Sequence, residues 1–184
     1  MNLSKLKFLI FASFFTLIFI GCSSEQETIE TLQSQSTTIN LDNSLDEAIQ
    51  NSLDNYQAVV VVFYRGHFWG ICRAQLGELS QNHALFKRFG IDIIAISTDD
   101  QENTQAMRDE VNASFEIISD STYTISQQWK VFNLLGDGVA APSAFIIGKN
   151  NAILWGHRGS SPSDRPPTDF LLAKTLDLLE KVAN

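Results

Sequence analysis

Cysteine is nearly absent from this chain: 184 residues hold two, Cys22 and Cys72. That excludes a disulfide-stapled framework, which needs several pairs. Histidine is almost as scarce, with His67, His83 and His157, and no spacing of His, Cys or carboxylate suggests a metal site. No glycine fingerprint for a nucleotide occurs and no internal repeat is visible, so no cofactor is expected. No apolar run reaches the roughly 20 residues that a spanning helix needs. Positive charge is also short, 13 Lys and Arg against 21 Asp and Glu. An acidic balance of this size disfavours nucleic acid as a partner.

The longest largely apolar run is Phe8 to Ile20, 13 residues behind Lys5 and Lys7. A basic start and a short apolar stretch fit a secretory signal peptide over residues 1–21. Phe19-Ile20-Gly21-Cys22 resembles the bacterial lipobox, a small residue immediately before a cysteine. By that resemblance Cys22 carries lipid and becomes the mature N-terminus, and several acyl chains anchor a protein stably. An ordinary cleaved signal or an uncleaved anchor is the alternative. Ser23 after the cysteine favours the periplasmic face of the outer membrane. Removing residues 1–21 takes two lysines and no acids, which leaves 11 basic residues against 21 acidic ones, a net charge of −10. Residues 22–42 are rich in Ser, Thr, Gln and Glu and cannot bury enough apolar surface to order themselves. They read as a flexible tether for a single domain over 43–184.

Within that domain Ser44-Leu45-Asp46-Glu47 has the form of a capping box, with Ser44 as cap and a helix to about Tyr56. Ala58–Tyr64, AVVVVFY, predicts a strand buried on both faces. Cys72, Leu76, Leu79, His83 and Phe86 recur at spacings of four and three, which predicts a helix over 72–89, and Gly90 stops it. Ile91–Ser97 is a second buried strand, followed by a polar helix over 99–112. A strand over 115–118 and a helical piece over 123–132 come next. Strands over 144–147 and 152–155 flank Gly148-Lys149-Asn150-Asn151 as a hairpin, and a helix over 168–182 closes the chain. Strands alternating with helices before a hairpin predict an α/β fold, mostly parallel with an antiparallel C-terminal hairpin.

The stretch YRGHFWGICRAQL, residues 64–76, places Cys72 where strand, loop and helix meet. Only a thiolate attacks, and a free cysteine is mostly protonated at neutral pH. The first turn of a helix favours an anion through its unpaired N–H groups. Arg65, His67 and Arg73 add positive charge or donors, while Gly66 and Gly70 let the backbone approach a bound oxyanion. Trp69 forms a hydrophobic wall beside the thiol. The alternative for Cys72 is a small buried hydrophobe on the helix stripe, and for His67 a surface histidine. His83 lies about 16 Å along the helix from Cys72, too far to be its base. The sequence leaves His157 and Arg158 unplaced.

Phe63-Tyr64-Arg65-Gly66, followed at the right count by Cys72, Gln75 and Leu76, resembles the peroxiredoxin-like branch of the AhpC/TSA family. That family has a thioredoxin-like fold. Ala141-Pro142 is similar to the proline that faces its active site, and Asp164-Arg165-Pro166 also matches the branch. The likeness runs from about Ala58 to Leu179. It departs at the site itself. The branch's first cysteine falls on Trp69 and its next proline on Gly70. In typical peroxiredoxins the peroxide-binding threonine falls on Trp69 and the later arginine on Pro142, with Cys72 on the attacking cysteine. The resemblance implies reduction of a hydroperoxide by Cys72 alone, with an external thiol as reductant; a homo-oligomer is compatible with it. A mixed-disulfide oxidoreductase, or a binding module with a retired site, are the alternatives.

Overall fold

Every position of the AVVVVF run is buried, so this segment has no solvent face and must lie inside a sheet. In a computed structural model that describes residues 43–183, it is the central strand. The expected signal peptide, the lipid-bearing Cys22 and the tether lie outside those residues. The elements are α1 (Ser44–Asn55), β1 (Ala58–Phe63), α2 (Gly70–Arg88), β2 (Ile91–Ser97), α3 (Gln101–Glu110), β3 (Glu116–Ser119), α4 (Thr124–Gln128), β4 (Ser143–Gly148), β5 (Ala152–Arg158) and α5 (Thr168–Ala183). The five strands are ordered β3-β2-β1-β4-β5. β1, β2 and β3 run parallel, while β4 is antiparallel to both β1 and β5, as the α/β reading expected.

Alternation along β1 divides the interior in two. Val60, Val62 and Tyr64 face a core completed by Cys72, Leu76, Leu79 and Phe86 of α2 and by Leu171 of α5. Val59, Val61 and Phe63 face the other side, where Leu45, Ile49 and Leu53 of α1 pack with Ile125 and Phe145. Each fully buried Leu, Val or Phe contributes about 1.5–3 kcal/mol. All five residues of the predicted helix stripe, Cys72 through Phe86, are buried.

Two local expectations are corrected. Asn43, not Ser44, occupies the cap position of α1, and its carbonyl accepts the Glu47 N–H at 2.9 Å without a side-chain cap. The helical piece predicted over 123–132 ends at Gln128, because Lys130 and Asn133 take left-handed φ values of 56° and 53° and cannot continue a helix.

His83 is a structural residue. Its Nδ1 lies 2.7 Å from Ser114 Oγ, its Nε2 lies 2.9 Å from Asp92 Oδ1, and its ring meets Phe115 edge-on. Asp92, near the start of β2, also accepts from Ser52 Oγ at 2.7 Å, which ties α1 to α2 across the sheet end. Burial alone would raise the Asp92 carboxyl, but the hydrogen bonds from His83, Ser52 and the Ile93 N–H outweigh it and hold the carboxyl below its ordinary value. A carboxyl lowered in this way adds stability that is present above the ordinary carboxylate range and lost as pH falls through its folded value. Asp92→Asn is therefore expected to cost about 2 kcal/mol in urea unfolding at neutral pH. The cost should shrink as pH falls through the carboxyl's lowered folded value, where the native group is protonated too; a difference undiminished by acid would contradict this assignment.

Candidate functional site

β1 runs straight into the loop that carries the site. Tyr64 continues the ladder, its N–H donating to Ile96 O at 2.9 Å, and its side chain is fully buried. Burial pushes the Tyr64 phenol well above its usual range, so it stays protonated. At Gly66 the chain turns with φ of +148°, and a Cβ there would lie 2.6 Å from Phe68 Cε1 and 2.8 Å from Asp99 Oδ1. Only glycine fits that corner. Asp99 pins the turn by accepting the His67 N–H at 2.7 Å. Burial raises the Asp99 carboxyl even though that bond and one from Ser97 oppose it.

α2 then begins at Gly70 with Trp69 at its cap position, and Trp69 makes no side-chain cap bond. Cys72 is the third residue of the helix, its N–H donating to Trp69 O at 2.9 Å, and it has no exposed surface. Its Sγ lies 3.4 Å from the Arg65 N–H and 3.5 Å from Nη1 of Arg165. Arg165 stands in the connection between β5 and α5. Its Nη1 also donates to Gln75 Oε1 at 2.9 Å, and its Nη2 to Pro162 O at 2.6 Å.

The expected site residues are only partly brought together. Arg65 supports the sulfur through its backbone, while its guanidinium pairs with Asp137 Oδ2 at 2.6 Å and lies over the Trp69 ring. His67 turns its ring to Glu110, with Nε2 2.9 Å from Oε2, and Arg73 Nε reaches the same carboxylate at 3.0 Å. These two side chains thus belong to a surface cluster with the Glu110 carboxylate at its centre. Trp69 is half-buried and packs against the core cluster that holds Cys72. Gly70 faces open space, since a Cβ there would meet nothing nearer than Arg73 Nη2 at 3.7 Å. Pro142 directly precedes β4 at the end of the sheet where the site loop leaves, and its carbonyl accepts the Gly159 N–H at 2.7 Å. His157 Nε2 lies 3.1 Å from Asp164 Oδ1, and Arg158 donates to Trp129 O.

Arg165 is the residue at the sulfur that a reading of the loop alone misses. The Asp164-Arg165-Pro166 motif signalled it, yet nothing in its spacing pointed to Cys72. Three buried nitrogens in the residues round the sulfur, Arg65 Nε, Trp69 Nε1 and Arg165 Nε, have no hydrogen-bond partner among the described residues. Unpaired buried donors are rare in native structures and often mark a place for a ligand or water. Among the described residues no group of His, Cys, Asp and Glu is arranged to hold a metal ion.

The corner at Gly66 gives a direct check of this geometry. Gly66→Ala is expected to destabilise the fold by about 1–3 kcal/mol, because it combines a strained φ with a clash against pinned Asp99. Amide exchange at His67 should quicken at the same time. A variant with native melting and native exchange would show that the corner is not fixed as described.

Known proteins place the chain in a family. The sequence profile of the AhpC/TSA family matches residues 32–155, about two-thirds of the chain. Alkyl hydroperoxide reductase C of Amphibacillus xylanus is 30% identical over 101 residues, covering 51% of this chain and 52% of that protein. Peroxiredoxin Q of Sedum lineare chloroplasts is 24% identical over 95 residues, covering 52% and 51%. The chain thus spans about half the length of the curated relatives it matches. Among solved structures, Enterococcus faecalis AhpC superposes with a TM-score of 0.61 at 18% identity, covering 71% of this chain and 79% of its own. Mycobacterium bovis AhpC gives 0.58 at 26% identity, covering 67% and 73%. The protein is a member of the AhpC/TSA family, with the thioredoxin-like fold of its structural neighbours.

Proposed function

We propose that this protein is a thiol peroxidase that works through Cys72 alone. The observation that carries the proposal is the sulfur's setting, with two donors on Sγ at the start of an uncapped helix. A backbone N–H and a guanidinium, both within hydrogen-bond reach of Sγ, can receive the charge of an attacking sulfur. The thiolate attacks the outer oxygen of a hydroperoxide and the O–O bond breaks. The alkoxide or hydroxide leaves and takes up a proton, and the sulfur, oxidised by two electrons, becomes a sulfenic acid. The unpartnered N–H donors of Arg65, Trp69 and Arg165 suit the oxygens of the peroxide and of the leaving group. Cys72 is the one free cysteine among the described residues, so the sulfenic acid has no thiol partner within the domain. An external thiol condenses with it to a mixed disulfide, releasing water, and a second thiol restores Cys72.

A second reading has one observation in its favour. Cys72 has no exposed surface, which suits a retired site that binds a partner and does no chemistry. Hydrogen peroxide followed by a sulfenic-acid trap separates the two. The full chain is expected to take up one trap at Cys72, and Cys72→Ser none. An untrapped, unoxidised Cys72 in folded protein would favour the binding module.

We further infer that Cys22 is acylated and tethers the domain at the bacterial envelope, with the outer membrane's periplasmic face favoured. Cells fed labelled palmitate should incorporate label into the full chain, and Cys22→Ser should abolish both the label and membrane fractionation. Label retained by that variant would overturn the tether.

A further inference from the structure

The guanidinium on the thiol arrives from far along the chain, so something must hold it there. The segment from Gly159 to Pro167 leaves β5 and crosses to α5 without regular structure. Its root is fixed at Gly159, whose N–H donates to Pro142 O. A Cβ at Gly159 would also press on Asp164 O and lie 2.7 Å from Pro142 O. Six residues on, the Arg165 side chain folds back to Pro162 O, Gln75 Oε1 and Cys72 Sγ.

Asp164 closes the turn between root and guanidinium. Its Oδ2 accepts the Ser160 N–H and the Ser160 hydroxyl, both at 2.8 Å, and its Oδ1 faces His157 Nε2 at 3.1 Å. Its own N–H donates to Ser161 O at 3.1 Å. His157 in turn stacks on Trp155, with the two ring planes 10° apart. One carboxylate thus gathers the end of β5 and the start of the crossing segment immediately before Arg165.

We propose that Asp164 is a positioning residue for the thiol site, holding the 159–167 segment in the shape that aims the Arg165 guanidinium at Cys72 Sγ. Arg165 is the catalytic residue of the pair, since it touches the reacting atom; Asp164 acts only through it. Gln75, one turn along α2 from Cys72, completes the aim by accepting from the same Nη1. Displacing a charged donor by about an ångström is enough to lose much of its effect. A carboxylate with no contact to the sulfur therefore governs how fast the sulfur reacts. This inference rests on the peroxidase reading above.

The test is a double-mutant cycle on the full chain, read as the second-order rate of sulfenic-acid formation with hydrogen peroxide. Arg165→Ala should slow the reaction roughly a hundredfold, the usual cost of removing one preorganised donor. Asp164→Ala should slow it roughly tenfold by misplacing that donor. Asp164→Asn, which keeps one acceptor oxygen for Ser160, should recover most of the loss. Asp164→Ala/Arg165→Ala should be no slower than Arg165→Ala alone, because Asp164 has nothing left to aim. If Asp164→Ala fails to fold, Ser160→Ala removes the hydroxyl donor to Asp164 Oδ2 alone and should show the same coupling to Arg165 at smaller size. Losses that multiply, or a normal rate in Asp164→Ala, would overturn the positioning role while leaving the peroxidase intact. A wild-type chain that forms no sulfenic acid would overturn both.

Discussion

The complete burial of β1 is the constraint from which the site follows. A strand with no solvent face needs a neighbour on each edge and a cover on each side. β2 and β4 supply the edges, and α2 and α1 supply much of the two covers. Chain leaving such a strand can emerge only at its end, and here it emerges as Tyr64 to Trp69. The next residues must return as a helix over one face, because Val60 and Val62 need covering there. Cys72 is thus placed by packing before any chemistry is considered. It sits on the stripe that seals the core and in the first turn of α2.

The same placement sets a conflict between packing and reactivity. As part of the core stripe the thiol is shielded from water, which is what Leu76 and Leu79 on the same stripe require. As a helix-start sulfur it is offered donors. The structure meets both demands by bringing polar groups to the buried sulfur along the backbone of Arg65 and the side chain of Arg165. Buried polar atoms need partners, and a guanidinium that also satisfies Gln75 and Pro162 is a stable lodger in such a place.

How much of this was legible in the sequence depends on whether the signal was local. The β1 run, the Cys72-to-Phe86 stripe and the stop at Gly90 all follow from short-range periodicity, and the structure keeps each of them. The family likeness added the thioredoxin-like topology through the order and spacing of its motifs. What escaped was long-range pairing. Arg65 carries a charge beside the thiol in sequence, yet Asp137, 72 residues away, takes up its guanidinium. Arg165 is 93 residues from Cys72, in a Ser- and Pro-rich stretch without periodicity, and the family motif that marks it carries no sign of its nearness to the thiol. The positive charge expected from the loop therefore comes from the far end of the domain. Likewise Lys130 carries no sequence warning that it will turn left-handed and end α4 early.

The absence of any exposed surface on Cys72 has a kinetic side. A thiol at the surface meets a reagent at a rate that rises in proportion to the reagent's concentration. A fully buried thiol meets it only when a local fluctuation exposes the sulfur. At low concentration the two cases look alike. At high concentration the buried thiol levels off, since each molecule must wait for its own opening. The plateau is then a property of the protein, common to every small oxidant or alkylating agent, and its height counts how often the domain breathes.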